Sequence, residues 1–321
     1  MKSINKQKGV ALFVTLLVVT IATLLATEIW FRNTLDISRQ SNNRASYQAT
    51  YYASGMVLWA NDVLRQDYEE NPGFDSRSDP WNQTIAGIEL EDAILSGKLI
   101  DLDSKFNLNN LVIKGVPHPQ SLAYFQRVLS NLELDVGIAD KIIDWLDPDQ
   151  VPRTAGAEDP IYLSKRPAYR TAGQPFVHIS ELKLVDGITE SIYQRLRNFV
   201  TVLPVNYPDN RDRDKPTKFN VNTASAVLLR SLGSTISTND ALTLYNRGNA
   251  SHQNVNDFLL EPAISFYNLN GDELIKLIAT KSQWFNASIT IKMEQTVFQK
   301  YALLYRNSNI TVVKQWSDTP F

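Results

Sequence analysis

The sequence predicts an α+β fold: a long N-terminal helix, a C-terminal antiparallel sheet packed on its second half, and a large, mainly helical region inserted between them. Three observations carry this reading. Residues 10–26, VALFVTLLVVTIATLLA, contain no charge, proline or glycine, and a helical pattern runs on well past them. Residues 284–316 switch to a strand-like period. Between the two lies a series of short helical patterns broken by Asn, Pro, Gly and charged loops.

The apolar run comes first. As a helix it is roughly 25 Å long, at the short edge of what spans a bilayer core, and no buried strand is this long. Thr15, Thr20 and Thr23 are tolerable there because a threonine hydroxyl can bond back to its own helix. Ahead of it, MKSINKQKG carries three lysines and no acid, which holds the N-terminus on the cytoplasmic side. A secretory signal would close on a small-x-small cleavage site, and none is present. Glu28, Arg32, Asp36 and Arg39 instead continue at helical spacing, with no Pro or Gly before Gly55. The segment is therefore read as a retained anchor. Its basic leader ending in Lys8-Gly9 resembles prepilin-type leaders, which implies a cut after Gly9 that leaves Val10 as the mature N-terminus.

The helical pattern extends to about residue 66. Ala45, Ala49, Ala53, Met56, Ala60, Val63 and Leu64 form one apolar stripe, and Tyr47, Tyr51 and Tyr52 are read as thickening it. Unbroken, the rod would reach about 85 Å. Gly55 is a weak point in it but not a stop. Residues 67–83 turn to loop composition. Residues 84–91 read as strand or turn. Residues 98–103 alternate as a strand, with Leu99 and Asp101 placed on opposite faces, and a helix at 90–95 competes.

Phe106-Asn107-Leu108-Asn109-Asn110-Leu111 is then echoed, 113 residues later, by Phe219-Asn220-Val221-Asn222-Thr223-Ala224. Two copies make no solenoid. The expected physics is local: Asn caps a turn or helix start while Phe and the aliphatic residue pack inward. Helices are expected over 122–132 and 136–146, the second stopped by Asp147-Pro148-Asp149. Residues 150–175 are irregular. Residues 179–199 read as helix, tight turn, helix, and 201–203 as a short strand. Residues 207–218 form a charged loop, and short helices follow near 224–232, 239–246, 255–260 and 273–276. The C-terminal runs 284–293, 296–305 and 309–316 form an antiparallel meander, with Arg306 near a turn. A lone meander needs its apolar face covered, and the second half of the first helix is the available cover.

Composition narrows the function. The chain has 321 residues, 32 basic and 34 acidic; without the leader's lysines the balance is 29 to 34, which argues against a polyanionic partner. There is no cysteine, hence no disulfide or thiol chemistry. Residues 182–188, LKLVDGI, resemble a helix-hairpin-helix turn that can cradle a DNA phosphate. Its flanks carry both signs of charge, so a packing hairpin is the better reading and no nucleic acid is expected. Acids cluster at Asp144, Asp147 and Asp149, at Glu158 and Asp159, and at Asp209, Asp212 and Asp214. Such oxygen-rich loops suit Ca²⁺, although none has EF-hand spacing, and on these residues alone solvated charge and helix capping are the better reading. His118, His178 and His252 are scattered, and no nucleophile elbow or H-E-x-x-H is present, so no enzyme is expected.

Several stretches together resemble the K family of bacterial type II secretion systems, minor pseudopilins of the general secretion pathway. They are Lys8-Gly9-Val10-Ala11-Leu12, Lys105-Phe106-Asn107-Leu108-Asn109, Ile143-Asp144-Trp145-Leu146-Asp147-Pro148-Asp149, Gly156-Ala157-Glu158-Asp159 with Tyr162, Ile179-Ser180-Glu181-Leu182, Val202-Leu203-Pro204 and Asn220-Val221-Asn222-Thr223-Ala224. The resemblance implies a type IV pilin-like helix and sheet with an insertion of two SAM-like modules. In that scheme 1–9 is the leader, 10–32 the transmembrane and filament-core helix, 33–104 the first part of the pilin-like domain, 105–272 the insertion and 273–321 the meander. It implies a prepilin peptidase that cuts between Gly9 and Val10, methylation of the new amine, an inner-membrane anchor with the bulk periplasmic, and the I and J pseudopilins as partners. Some relatives bind calcium in the insertion. Most pilins carry a glutamate at the fifth mature position, thought to pair with a neighbour's terminal amine; here that position is Val14, which fits a subunit at the filament tip. The other reading is a minor tip pilin of a type IV pilus, acting in adhesion or assembly.

Overall fold

The computed structural model describes residues 8–204, 215–267, 269, 271–293 and 296–321. One helix, α1 (Lys8–Glu70), runs for 63 residues, about 95 Å. It passes Gly55 unbroken, and a Cβ added there would meet nothing within 4 Å. From Val10 to Arg44 every residue is exposed. In this part Thr15 Oγ1 donates to Ala11 and Leu12 carbonyls at 3.0 and 2.9 Å, and Thr20 and Thr23 to Leu16 and Val19 at 2.7 and 2.8 Å. The hydroxyls are thus satisfied within the helix itself, as a lipid setting requires.

The second half of α1 buries Ala49, Ala53, Met56, Val57, Ala60 and Leu64. This is the expected stripe, with a correction. Tyr47 and Tyr51 are 79% and 77% exposed. Each sits two residues from a buried alanine, about 200° round the helix, so they belong to the opposite face.

The stripe packs on a five-stranded antiparallel sheet built from β1 (Ile85–Glu89), β2 (Ile94–Asp101) and three C-terminal strands. Residues 94 and 95, where a helix competed, are strand. Leu95, Leu99 and Asp101 are all buried on one face. Leu99 and Asp101 therefore do not face opposite ways: residues two apart in a strand share a face.

The insertion begins at β3 (Phe106–Asn107) and continues with the hairpin β4 (Val112–Ile113) and β5 (Val116–Pro117), then α2 (Pro119–Asn131), α3 (Ile138–Leu146), α4 (Asp159–Leu163) and α5 (Glu190–Leu196). It returns at β6 (Val200–Thr201), which pairs in parallel with β3. A second unit opens with β7 (Phe219–Asn220) and runs through α6 (Ala226–Arg230), α7 (Thr238–Tyr245), α8 (Val255–Leu259), α9 (Pro262–Ser265) and α10 (Gly271–Leu277). Its closing strand β8 (Ile278–Ala279) pairs in parallel with β7. The helix expected at 179–184 is 3₁₀, and α4 and α9 lie where none was expected.

The sequence echo explains this two-part build. Each copy places Phe and Asn in the strand that clamps its unit shut. Asn107 and Asn220 each turn Oδ1 onto the amide two residues on, at 3.1 and 2.9 Å. The next Asn of each copy pairs through both side-chain atoms with one distant peptide. Asn109 gives to and takes from Phe176 at 3.0 and 2.8 Å, and Asn222 does so with His252 at 2.9 and 2.8 Å. All four asparagines are buried, so each bond replaces water that cannot reach the site.

The chain ends in β9 (Trp284–Met293), β10 (Thr296–Asn307) and β11 (Ile310–Ser317), and the sheet order is β1-β2-β9-β10-β11. Ala287, on β9, faces Leu99 on one side and Ala302 on the other. Phe285, Ile289, Ile291 and Leu304 complete the core under α1.

Candidate functional site

The loop from α3 to α4 gathers the acids. Asp147 ends α3 because it precedes Pro148, which disfavours helical backbone; its ψ is 154°. Asp144, fully buried in the last turn, takes the Arg153 amide at 3.1 Å. Arg153 Nε donates to Asp140 at 2.8 Å and pins the loop on the helix. A Cβ at Gly156 would stand 1.8 Å from Asp144 Oδ2. Gly156→Ala is therefore expected to push the loop off its helix, at a cost of about 1–3 kcal/mol, readable as a lower urea midpoint.

The loop brings together Asp147, Asp149 and Glu158, whose oxygens lie within 4.8 Å of one another. Asp147 Oδ1 and both Glu158 oxygens are buried without a hydrogen-bond partner. Desolvation, then repulsion from Asp144, Asp147 and Asp149, pushes Glu158 up to about 7. Desolvation and Asp149 push Asp147 up to about 6. Buried oxygens left this way invite a proton or a metal ion. Asp149 also takes the Val151 amide at 2.8 Å. Asp144 backs the cluster, whereas Asp159 is turned away: it accepts from Arg170 at 2.8 Å and from the Thr171 amide at 3.0 Å. Asp209, Asp212 and Asp214 lie outside the described residues.

A second acidic group, Asp67, Asp75 and Asp79, also lies within 4.8 Å. Sequence reasoning missed it. Its acids sat in what read as plain loop composition, and its counterion Arg306 was placed near a turn. Arg306 is instead in β10, 2% exposed, and bridges Asp67 at 3.0 Å and also Asp75.

The remaining candidates have structural work. His118 and His178 cap the N-termini of α2 and of the 3₁₀ turn 179–184, and His252 packs on the Phe258 ring. The Gly187 turn lies over Lys141, which donates to Asp186 at 2.9 Å; Lys165 holds the same carboxylate at 2.9 Å. This is a packing hairpin, and its cations are already engaged. At the other end of the molecule, α1 is the helix long and apolar enough to cross a membrane among the described residues, and its apolar window is unburied.

The family described as type II secretion system (T2SS), protein K matches residues 104–205. The chain is similar to the type II secretion system protein K of Pseudomonas aeruginosa, 36% identical over 70% of this chain and 68% of the relative. It is also similar to the protein K of Pectobacterium carotovorum subsp. carotovorum, 28% identical over 97% of this chain and 96% of that one. A chain in the crystal structure of the GspK-GspI-GspJ complex from enterotoxigenic Escherichia coli shares the fold, with a TM-score of 0.74 and 22% identity over 87% of this chain and 98% of that chain.

Proposed function

This chain belongs to the type II secretion system protein K family, minor pseudopilins, and from that membership we propose that it sits at the tip of the periplasmic pseudopilus, nucleating it in the inner membrane and capping it. The work is structural. The observation that carries the reading is the division of α1: an apolar half with nothing packed on it, then a half covered on one face by its own sheet, with a two-part insertion beside it. Such bulk would crowd a thin filament if repeated along the shaft.

The partners are the minor pseudopilins I and J. In support, the K-type fold relative was solved in a complex with I and J subunits, and α1 presents Tyr47, Tyr51 and Leu58, 71–79% exposed, on the face away from the sheet. The test is co-purification of the region from Thr34 onward with soluble I and J. A ternary complex is expected, and its absence would count against the role. Tyr51→Asp with Leu58→Asp should weaken that complex by about tenfold or more, because buried tyrosines are among the residues that dominate such losses and an unpaired carboxylate in an apolar contact is costly. The unfolding midpoint should not move, since neither side chain is in the core.

Prepilin peptidase cuts between Gly9 and Val10, and the new amine is methylated; mass spectrometry should find a mature chain beginning at methylated Val10. Val14 leaves the anchor without the carboxylate that a subunit above would use, and α1 has no acid in its first turn. A lone carboxylate or amine in lipid is costly, so this chain suits the topmost place.

Of the two acidic groups, the loop cluster Asp147, Asp149 and Glu158 is the one that could coordinate a divalent cation. Asp147 Oδ1 and both Glu158 oxygens lack partners, whereas the Asp67 group already has Arg306. An all-carboxylate set on a loop suits Ca²⁺, which accepts six to eight oxygens in flexible geometry. Carbonyls and water would complete the shell, and the ion would fix the loop between α3 and α4.

A further inference from the structure

The other acidic group, at the foot of the anchor helix, is built differently. Asp67 lies in the last turn of α1, Asp75 in the loop that follows, and both are at most 2% exposed. Arg306 Nη1 donates to Asp67 Oδ2 at 3.0 Å and to the Leu64 carbonyl at 3.4 Å; Nη2 donates to Asp75 Oδ1 and to the Ser282 carbonyl at 2.8 Å. Asp75 Oδ2 takes the Ser282 amide at 2.6 Å, and the Asp75 carbonyl takes Asn220 Nδ2 at 3.1 Å. Asp79 is filled by the Ser76 amide and hydroxyl and by Trp81 Nε1, at 2.7, 2.8 and 3.3 Å. Of all these carboxylate oxygens, only Asp67 Oδ1 has no partner, and it too is buried.

We propose that Asp67 carries a proton directed at Asp75, and that this proton completes a lock in which Arg306 ties the anchor helix to the sheet and to the second helical unit. The charge count requires a neutraliser. Two buried carboxylates meet one guanidinium, and a third, Asp79, stands beside them. The other nearby cation, Lys281, is held over the Tyr68 ring at 3.6 Å and donates to the Pro72 carbonyl. Beyond Asp75 lie two more buried acids, Asp101 and Asp103, both raised by burial first and with repulsion from Asp75 among the further causes. A metal ion is the poorer neutraliser because the Arg306 guanidinium already contacts Asp67 Oδ2 and Asp75 Oδ1 and would repel a second cation there. A proton on Asp67 turns the orphan oxygen into a donor toward Asp75 and removes the excess charge together.

The energetic sign follows. Burial, then repulsion from Asp75, raises Asp67 to about 7. A raised acid favours the folded state while the proton is bound, so the lock holds in acid and loosens as the pH rises through about 7.

The test uses the full chain in detergent micelles, free of divalent metal, followed by infrared spectroscopy of the protonated-carboxyl stretch against pH. One component should titrate near pH 7 and be lost in Asp67→Asn. Asp75→Asn should remove it as well, because Asp67 would then make a simple ion pair with Arg306. The urea midpoint of the wild type should fall between about pH 5.5 and pH 8.5 by more than that of Asp67→Asn. An unchanged titration in both variants would overturn the proposal. So would equilibrium dialysis with Ca²⁺ in which Asp67→Asn loses one bound ion, since the occupant would then be a cation.

Discussion

Calcium is expected to raise the melting temperature of the full chain in detergent by about 4 °C at an ion concentration near a hundred times the dissociation constant, and Glu158→Gln to abolish that rise. The size follows from linkage: an ion that binds only the folded state at that excess adds about 2.7 kcal/mol, and a chain of 321 residues shifts by about 1.5 °C per kcal/mol. The residue follows from geometry. Both Glu158 oxygens are buried and unpartnered, opposite Asp147 and Asp149. Without the ion, Glu158 is raised to about 7, so its protonated form supports the fold below that pH, and stability falls as the pH rises through it. Calcium reverses the slope, because it binds the deprotonated cluster and its affinity grows with pH across the same range. Glu158→Gln gives a crossing pair of outcomes: more stable than the wild type above pH 7 in chelator, less stable in calcium. Magnesium, which demands strict octahedral geometry at shorter distance, should give the smaller shift. Equal calcium shifts in wild type and variant would remove Glu158 from the site.

What could be read from the chain depended on the range of the interaction. The apolar run, the alanine stripe and the three C-terminal strands each hold their pattern over eight residues or more, and β9 occupies the expected residues. The Phe-Asn echo was visible as a pattern, but its meaning was not. The partners of Asn109 and Asn222 are peptides 67 and 30 residues away. The acids were legible as two neighbouring loop groups, Asp144, Asp147 and Asp149 and then Glu158 and Asp159; that Glu158 joins Asp147 and Asp149 while Asp159 turns away needed the fold. Arg306 defeated local reading altogether. An arginine followed by Asn-Ser resembles a turn flank, yet here it ends a strand whose inner face meets acids 231 and 239 residues earlier in the chain. Tyr47 and Tyr51 failed for a simpler reason: aromatic residues next to an apolar stripe were credited to it, although helical phase places them opposite. Their exposure is the mark of a face used for something other than the core.

Arg306 carries the largest single-residue effect expected in the folded part. Arg306→Met keeps most of the side-chain volume but leaves Asp67 and Asp75 buried without their cation, and breaking a buried pair in this way costs about 3–5 kcal/mol. Lysine is a poor substitute. The guanidinium reaches Asp67 from one nitrogen and Asp75 from another while also serving the Leu64 and Ser282 carbonyls; an ammonium cannot span that fork. The loss should depend on pH with a definite sign. Removing the cation makes Asp67 still harder to ionise, so the variant recovers part of its stability in acid, where Asp67 is protonated, and is weakest above neutrality. Neutralising the acids as well should rescue it: Arg306→Met with Asp67→Asn and Asp75→Asn is expected to be more stable than Arg306→Met alone, because no unpaired charge remains buried. Urea unfolding at two pH values on the three proteins decides it. If Arg306→Met costs the same at both, and the triple variant is no better, the cluster is held by packing of the arginine stem on Phe285, whose ring centre lies 4.9 Å from the guanidinium carbon, and charge is secondary.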